Sequence, residues 1–414
     1  MQMKYSADEI LQYVAEEDVK FIRLAFCDVR GRQKNISIMP GELARALGRG
    51  AGGGIAIDAS AVIGFGGEVR SDLLLRPDTA TLVPLPWRPE HGRVMRLFCT
   101  LEDPDGHPCP SDTRALLARA VEDARGEGLE FFFGSEMEFY LFRRDANGDP
   151  TKTPYDTAGY MDVAPEDRGE DLRREVCLTL EQMGIQPESS HHEEGPGQNE
   201  IDFRYADPVS AADQAVTFRS VVQTIAARDG LYADFSPKPL PDAPGNGMHV
   251  NFSALYTRES GRAGEDVLPR LIAGVLNRAA EMTAILNPTE DSYRRFGRCK
   301  APLYVSWSAQ NRSQLIRVPA AVGPYRRAEL RSPDPDCNPY LAYALLIYAG
   351  LEGIRSELPL PDPVDCNLYT ASEQQTARLA RLPDSLAEAR AAARESAFLK
   401  RYLPEPVRKF YLRE

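Results

Sequence analysis

The sequence predicts an α+β protein of two unequal domains, and three observations predict it. Its 414 residues exceed what one hydrophobic core usually supports. The first hundred residues read as short strand-like pieces with one helix. Beyond them, long stretches of helical periodicity alternate with short strands that carry most of the charge. The expected division is 1–105 for a small sheet-rich domain and 106–414 for a larger α+β domain.

Taken in order, Ser6 and Glu9 have the spacing of a capping box and precede Ile10, Leu11, Tyr13 and Val14, which predicts a short helix. Residues 19–27 alternate as a strand, and 28–31 read as its turn. The glycine-rich segment 50–54 reads as a flexible break, and 80–85 and 93–100 as further strand-like pieces. Near Cys109 the texture changes. Ser111 or Asp112 caps a helix carrying Leu116, Leu117, Ala120 and Val121 at helical spacing. More helices are expected near 169–183, 208–229, 264–286 and 339–353. Pro208 and Pro339 sit just inside two of their starts, where proline loses no hydrogen bond.

Composition excludes several functions. A net charge of −12 does not build the basic stripe that a phosphate backbone needs, so no nucleic-acid partner is expected. The longest apolar stretch, 340–351, is too short to span a bilayer, so no membrane role is expected. The seven cysteines are scattered without a CxxC pair, and the N-terminus has no apolar signal region. Reduced thiols, mostly small buried hydrophobes, and a cytoplasmic protein follow.

The chemistry-bearing residues lie on the short strands. Glu136 and Glu138 are two apart in an apolar strand, so both carboxylates project from one face. Such a pair is costly unless a cation or arginine sits between them. An exposed edge strand with solvated glutamates is the alternative. Glu193 and Glu200 flank a Gly-Pro-Gly turn, which could equally be a solvated acidic loop. His249 lies in an apolar strand beside glycines, where a satisfied core histidine is the commoner case. Glu329 and Arg331 share one face of another strand. Five glutamates and a histidine form an oxygen-rich donor set that suits Mg²⁺ or Mn²⁺ better than zinc. With Arg295, Arg312, Arg317, Arg327 and Arg331 beside them, they point to a metal-dependent enzyme that handles phosphate or carboxylate groups. No Walker A or dinucleotide fingerprint is present, so a nucleotide must be held by a different fold.

The segments GSEMEF (134–139), HHEEGPGQNEIDF (191–203), GNGMHVNFS (245–253), NPTEDSYRRF (287–296), APLYVSWSAQNRSQLIRVP (301–319), RAELRSPDPDCNPYLAYALL (327–346) and DCNLY (365–369) stand in the order found in glutamine synthetases. VKFIRLAFCDVRGRQKNISI (19–38) and SDLLLRPDTATLVPLPW (71–87) resemble that family's N-terminal domain. Nearly the whole chain is thus similar to the family. The resemblance implies a β-grasp-like N-terminal domain and a catalytic domain with a curved antiparallel sheet and helices. It also implies a homo-oligomer of two stacked rings, a dodecamer with sites shared between subunits. The implied activity joins the γ-carboxylate of glutamate, or a similar acid, to ammonia or another amine through a γ-glutamyl phosphate, using ATP and Mg²⁺ (or Mn²⁺).

By motif, Glu138, Glu193 and Glu200 match the ligands of one metal, and Glu136, His249 and Glu329 those of a second. Glu188 and Ser253 match nucleotide-binding positions. Arg312, Arg317 and Arg327 match residues that hold phosphates and the transferred group. Arg295, Arg331 and Gly245 match the glutamate site. Asp58 matches the aspartate that deprotonates ammonium, Tyr160 a tyrosine lining the same pocket, and Tyr369 a tyrosine that some bacterial relatives adenylylate.

Departures cluster at the substrate pockets. Lys300 stands where the family has a flap glutamate, in a loop one residue shorter, and a cation there repels ammonium. Ala61 replaces a serine, and Pro244 an asparagine. These changes leave open a γ-glutamyl ligase for another amine, one whose carboxylate Lys300 could pair with, or loop drift that puts Lys300 outside the site. A catalytically silent ring-forming homologue is the reading from another class.

Overall fold

The structure, a computed structural model, describes residues 5–48, 52–66, 71–87, 92–309, 311–321, 323 and 326–413. The expected first helix is present as Ala7–Glu16. The Ser6 hydroxyl accepts the Glu9 N–H, and the Glu9 carboxylate accepts the Ser6 N–H at 2.7 Å. Ile10 and Val14, one turn apart, are buried with Ile22, Leu24 and Phe26 of strand β1 (Val19–Cys27). The turn at 28–31 returns the chain to β2 (Gln33–Ile38), antiparallel to β1. Gly31 there has φ +74°, and a Cβ would lie 2.9 Å from the Asn338 side chain, so position and conformation both call for glycine.

The strands β3 (Ile55–Asp58), β4 (Asp72–Pro77), β5 (Val83–Pro84) and β6 (Arg93–Glu102) complete a sheet ordered β2-β1-β6-β4-β3, with β5 beside β6 and the β1–β6 pair parallel. The strand expected at 80–85 is mostly a turn. Asp78 accepts the Ala80 N–H and caps a 3-10 turn over Thr79–Thr81, so only Val83 and Pro84 pair. Of the expected break at 50–54, residues 50 and 51 lie outside the described residues.

Alternation along these strands buries both faces of the small sheet. Met95, Leu97, Cys99 and Leu101 of β6 share one core with Ile10 and Val14, whereas Val94 and Phe98, with Ala25 and Cys27 of β1, join the core of the larger part of the chain. The seam also holds an ionic network. Arg114 pairs with Asp213 and Asp78 at 2.9 Å each, and Tyr340 donates to Asp213 at 2.6 Å. Removing one member of such a buried pair costs about 3–5 kcal/mol, because the other charge is left uncompensated.

The larger sheet is organised on β7 (Leu129–Arg144), a strand of 16 residues. Along it pair β8 (Pro150–Pro154), β10 (Gln198–Phe203), β11 (Leu231–Asp234) and β12 (Met248–Tyr256). Beyond β10 lies β9 (Pro187–His192), and beyond β12 lie β15 (Ala328–Leu330), β14 (Ile316–Val318) and β13 (Trp307–Ala309). Phe131, Phe133, Met137 and Phe139 point from β7 into one core with the helices Thr113–Gly126, Glu170–Gln182, Pro208–Arg228, Leu268–Leu286 and Pro339–Arg355. Asp112 caps the first of these by accepting the Arg114 and Ala115 N–H groups. The helix expected from 264 starts only at Leu268, because Gly264 has φ +90° and Pro269 occupies the first turn.

No described helix is long and apolar enough to cross a membrane. All seven cysteines are free, and Cys27, Cys99, Cys109 and Cys337 are buried as expected, whereas Cys299 is exposed.

The helices Leu268–Leu286 and Pro339–Arg355 meet where Gly274 faces Ala349 and Gly353. A Cβ on Gly274 would lie 2.1 Å from the Ala349 carbonyl oxygen. Gly274→Ala is therefore expected to cost about 1–3 kcal/mol through overpacking, read as a lower midpoint in a denaturant titration. An unchanged midpoint would mean that the two helices separate without loss.

Candidate active site

Strand register assembles the charges. Across β7, Glu136 lies opposite His249 of β12 on one side and Asp202 of β10 on the other, and Glu138 lies opposite Glu200. Glu200 and Asp202 in turn face His191 and Ser189 of β9. Asn251 of β12 pairs with Glu329 of β15, which pairs with Arg317 of β14. Directly opposed residues project to the same side. This row of acids, histidines and an arginine therefore occupies the face of the sheet that the helices leave open.

Among the described residues, three groups of ligand-type atoms on this face come within 4.8 Å of one another: Glu136, His249 and Glu329; His191, Glu193 and Glu200; and Glu136, Glu200 and Asp202. Two others, Asp103, Asp105 and His107, and Asp156, Asp167 and His192, lie off it. The first of the three is the set matched to one metal by motif. In the second, His191 joins Glu193 and Glu200. Glu138 stands beside them, with one oxygen accepting from the Gly247 N–H at 2.8 Å and from Gln198 at 3.0 Å, and the other 4.0 Å from His249. Glu329, fully buried, accepts from Arg317 and Arg331 at 2.5 Å each.

This packing of carboxylates is expensive. Burial raises the Glu200 carboxyl well above its ordinary range, and the charges of Glu138, Asp202 and Glu136 add to it. Burial likewise raises Glu138 and Asp202. Glu136 moves the other way: burial opposes ionisation, but the hydrogen bond and charge of His249, with Asn251 and Arg331, hold it down. Glu193 is lowered too, against burial, by His191 and the Glu194 N–H. Oxygen donors that burial and mutual repulsion drive toward protonation are the environment that a hard divalent cation relieves, so the residues present fit Mg²⁺ or Mn²⁺.

A cavity of about 520 Å³ opens over this face. Its walls include Glu136, Glu138, Glu193, Glu200 and His249 on the acidic side, Arg295, Arg312, Arg317 and Arg331 on the basic side, and Gly245, Tyr160 and Lys300. Arg295 is buried and donates to the Ser332 carbonyl at 2.9 Å. Glu188, Ser253 and Arg327 line a second cavity of about 360 Å³ that shares Glu136 and Asp202 with the first and has Phe132, Tyr205 and Phe252 in its walls. Glu329, although it is bonded to Arg317 and Arg331 of the first cavity's wall, lines neither cavity, and neither does Asp58. Asp58 ends β3, exposed, and the Ser60 N–H holds its carboxyl below the usual range. Tyr369 lines neither cavity either and is 37% exposed.

Lys300 lies at the cavity wall, not outside it. Its ammonium pairs with Glu194 and sits 5.0 Å from the Tyr160 ring centroid. Cys299 and Lys300 both have positive φ, +44° and +65°, so the shortened loop turns sharply to aim the lysine there.

Sequence reasoning missed His191, Asp202 and Glu194. The first two were within its reach, because Asp202 follows Glu200 by two on one strand and His191 precedes Glu193 by two. Nothing in the sequence pairs Glu194 with Lys300.

The description "Glutamine synthetase, catalytic domain" matches residues 110–414, and "Glutamine synthetase, beta-Grasp domain" matches residues 18–104, in agreement with the β-grasp expectation. A glutamine synthetase of Clostridium saccharobutylicum is 43% identical, covering 98% of this chain and 93% of its own. One of Methanosarcina mazei is 42% identical, covering 100% and 94%. A solved structure, "GmaS/ADP complex-Conformation 1", superposes with a TM-score of 0.85 at 27% identity, covering 99% of this chain and 94% of that one. With both domains matched and relatives aligned over nearly their full length, the chain belongs to the glutamine synthetase family.

Proposed function

We propose that the protein is an ATP-dependent ligase that joins the γ-carboxylate of glutamate to ammonia through a γ-glutamyl phosphate. The observation that carries this reading is the convergence, at one cavity, of the carboxylate cluster with Arg295, Arg312, Arg317 and Arg331. The family supplies the reaction class, and the relatives named above are glutamine synthetases.

Glu138, Glu193 and Glu200, with His191 near them, would hold one divalent cation, and Glu136, His249 and Glu329 a second. Such cations supply charge neutralisation for phosphoryl transfer. The rest falls to the chain's own groups. The second cavity, with aromatic walls beside Glu188, Ser253 and Arg327, suits a nucleotide whose phosphates reach Glu136, and GmaS has been solved with ADP. Arg295 and Arg331, with the Gly245 backbone, hold the glutamate. A γ-carboxylate oxygen attacks the γ-phosphorus and ADP leaves. Arg312 and Arg317 face the phosphoryl oxygens on which charge develops. Ammonia then attacks the acyl carbon, and phosphate departs with that oxygen.

The proton lost by ammonium is assigned to Asp58. Since Asp58 lines neither cavity of its own chain, a neighbouring subunit is proposed to receive it, in a two-ring dodecamer whose subunits divide at 1–105 and 106–414. Phosphate release from MgATP with L-glutamate tests the reading across ammonium and a panel of amines. Ammonium should be the preferred acceptor, and turnover that requires another amine would overturn that choice.

Lys300 gives a second reading, an amine other than ammonia, its specific support. Glu194 answers it by masking the lysine's charge beside Tyr160. Both partners are partly exposed, 44% and 37%, so the pair is worth at most about 1 kcal/mol. Glu194→Gln should therefore raise the KM for ammonium by roughly 2–5-fold with the KM for glutamate little changed. An unaltered ammonium KM would mean that Lys300 does not act on the amine.

A further inference from the structure

We propose that Asp156 and His192, which line neither cavity, are positioning residues that fix the Glu193–Glu194 peptide. Through that peptide they set both the Glu193 carboxylate and the Glu194 carboxylate that masks Lys300. The proposal rests on the reading of Glu193 as a metal ligand.

His192 is fully buried, on the opposite side of β9 from His191. Its Nε2 lies 2.9 Å from Asp156 Oδ1 and its Nδ1 2.6 Å from the carbonyl oxygen of Glu193. A carbonyl oxygen and a carboxylate only accept, so the ring donates to both. Asp156 is itself immobilised, accepting from the Gly197 N–H at 3.0 Å and the Arg168 N–H at 3.1 Å.

A peptide group is planar, so holding its carbonyl also fixes the direction of the N–H on its far side. Here that N–H belongs to Glu194 and donates to Glu193 Oε2 at 2.9 Å, while His191 lies 3.0 Å from Glu193 Oε1. The metal-side carboxylate is thus clamped at both oxygens, and one clamp is the peptide that His192 holds. The far side of the turn is braced separately: Arg173 pairs with Asp167 and donates to Asn199 at 2.6 Å, and Asn199 donates to the Gly197 carbonyl at 2.9 Å. Loss of a partner that orients a metal ligand from behind typically costs about 10–100-fold in metal affinity.

Two substitutions separate positioning from simple support. In His192→Asn the amide takes the place of Nδ1 and keeps a donor for the Glu193 carbonyl. In His192→Gln it reaches toward Asp156 and abandons that carbonyl. Both variants of the full-length chain are titrated with Mn²⁺ by calorimetry, alongside thermal unfolding and the ammonium KM. His192→Gln should bind Mn²⁺ about tenfold or more weakly and need more ammonium, whereas His192→Asn should stay within about threefold of the parent. Equal Mn²⁺ affinities in the two variants, or failure of both to fold, overturns the inference. A parent protein that binds no Mn²⁺ would instead remove the reading of Glu193 as a ligand, and the inference with it.

Discussion

Like charges set side by side on a buried sheet face are the constraint on which the rest of this structure depends. Register alone brings Glu136, Glu138, Glu200 and Asp202 into one patch, and the ladder of backbone hydrogen bonds prevents them from moving apart. A soluble surface would let water screen them, but Glu138 and Glu200 are less than a tenth exposed. Each neighbouring feature can be understood as a response. Asn251 and His249 stabilise the ionised Glu136, and Arg317 and Arg331 grip Glu329 from two sides. The charge that remains is what divalent cations would neutralise, and the same cations would bring phosphates to the arginines.

The opposite face of the sheet makes that arrangement affordable. Phe131, Phe133, Met137 and Phe139 alternate with the acids along β7 and are buried under five helices. One strand thus serves as core on one side and as reactive surface on the other. The small N-terminal sheet adds a second layer. Its inner face is locked to the helices by the Arg114–Asp213–Tyr340 network, which leaves Asp58 at the outer end of β3, free of its own chain's cavities. The proton role proposed for Asp58 would therefore be played in a neighbouring subunit.

Much of this was legible in the sequence, and the reasons are physical. A period of two is unambiguous in a strand as apolar as β7, so the shared face of Glu136 and Glu138 could be read directly, as could that of Glu329 and Arg331. Proline and capping residues marked the helices Pro208–Arg228 and Pro339–Arg355 within a residue or two of their ends. What escaped depends on a local cap or on contacts between distant segments. Residues 80–85 look like a strand until Asp78 caps a turn inside them. The helices Leu386–Glu395 and Glu405–Leu412 carry few large apolar residues and owe their place to packing on Leu268–Leu286. Lys300 reads as a hostile cation because its partner Glu194 lies across the cavity and more than a hundred positions away in the chain.

In the proposed reaction this face activates a carboxylate by phosphorylating it. The most direct test supplies MgATP, ammonium and L-glutamate labelled with ¹⁸O in its carboxylates, then weighs the released phosphate by mass spectrometry. The expected phosphate carries one labelled oxygen taken from glutamate, with glutamine formed in equal amount. Unlabelled phosphate released without amide would contradict it, because the cluster would then be directing water, not glutamate, onto ATP.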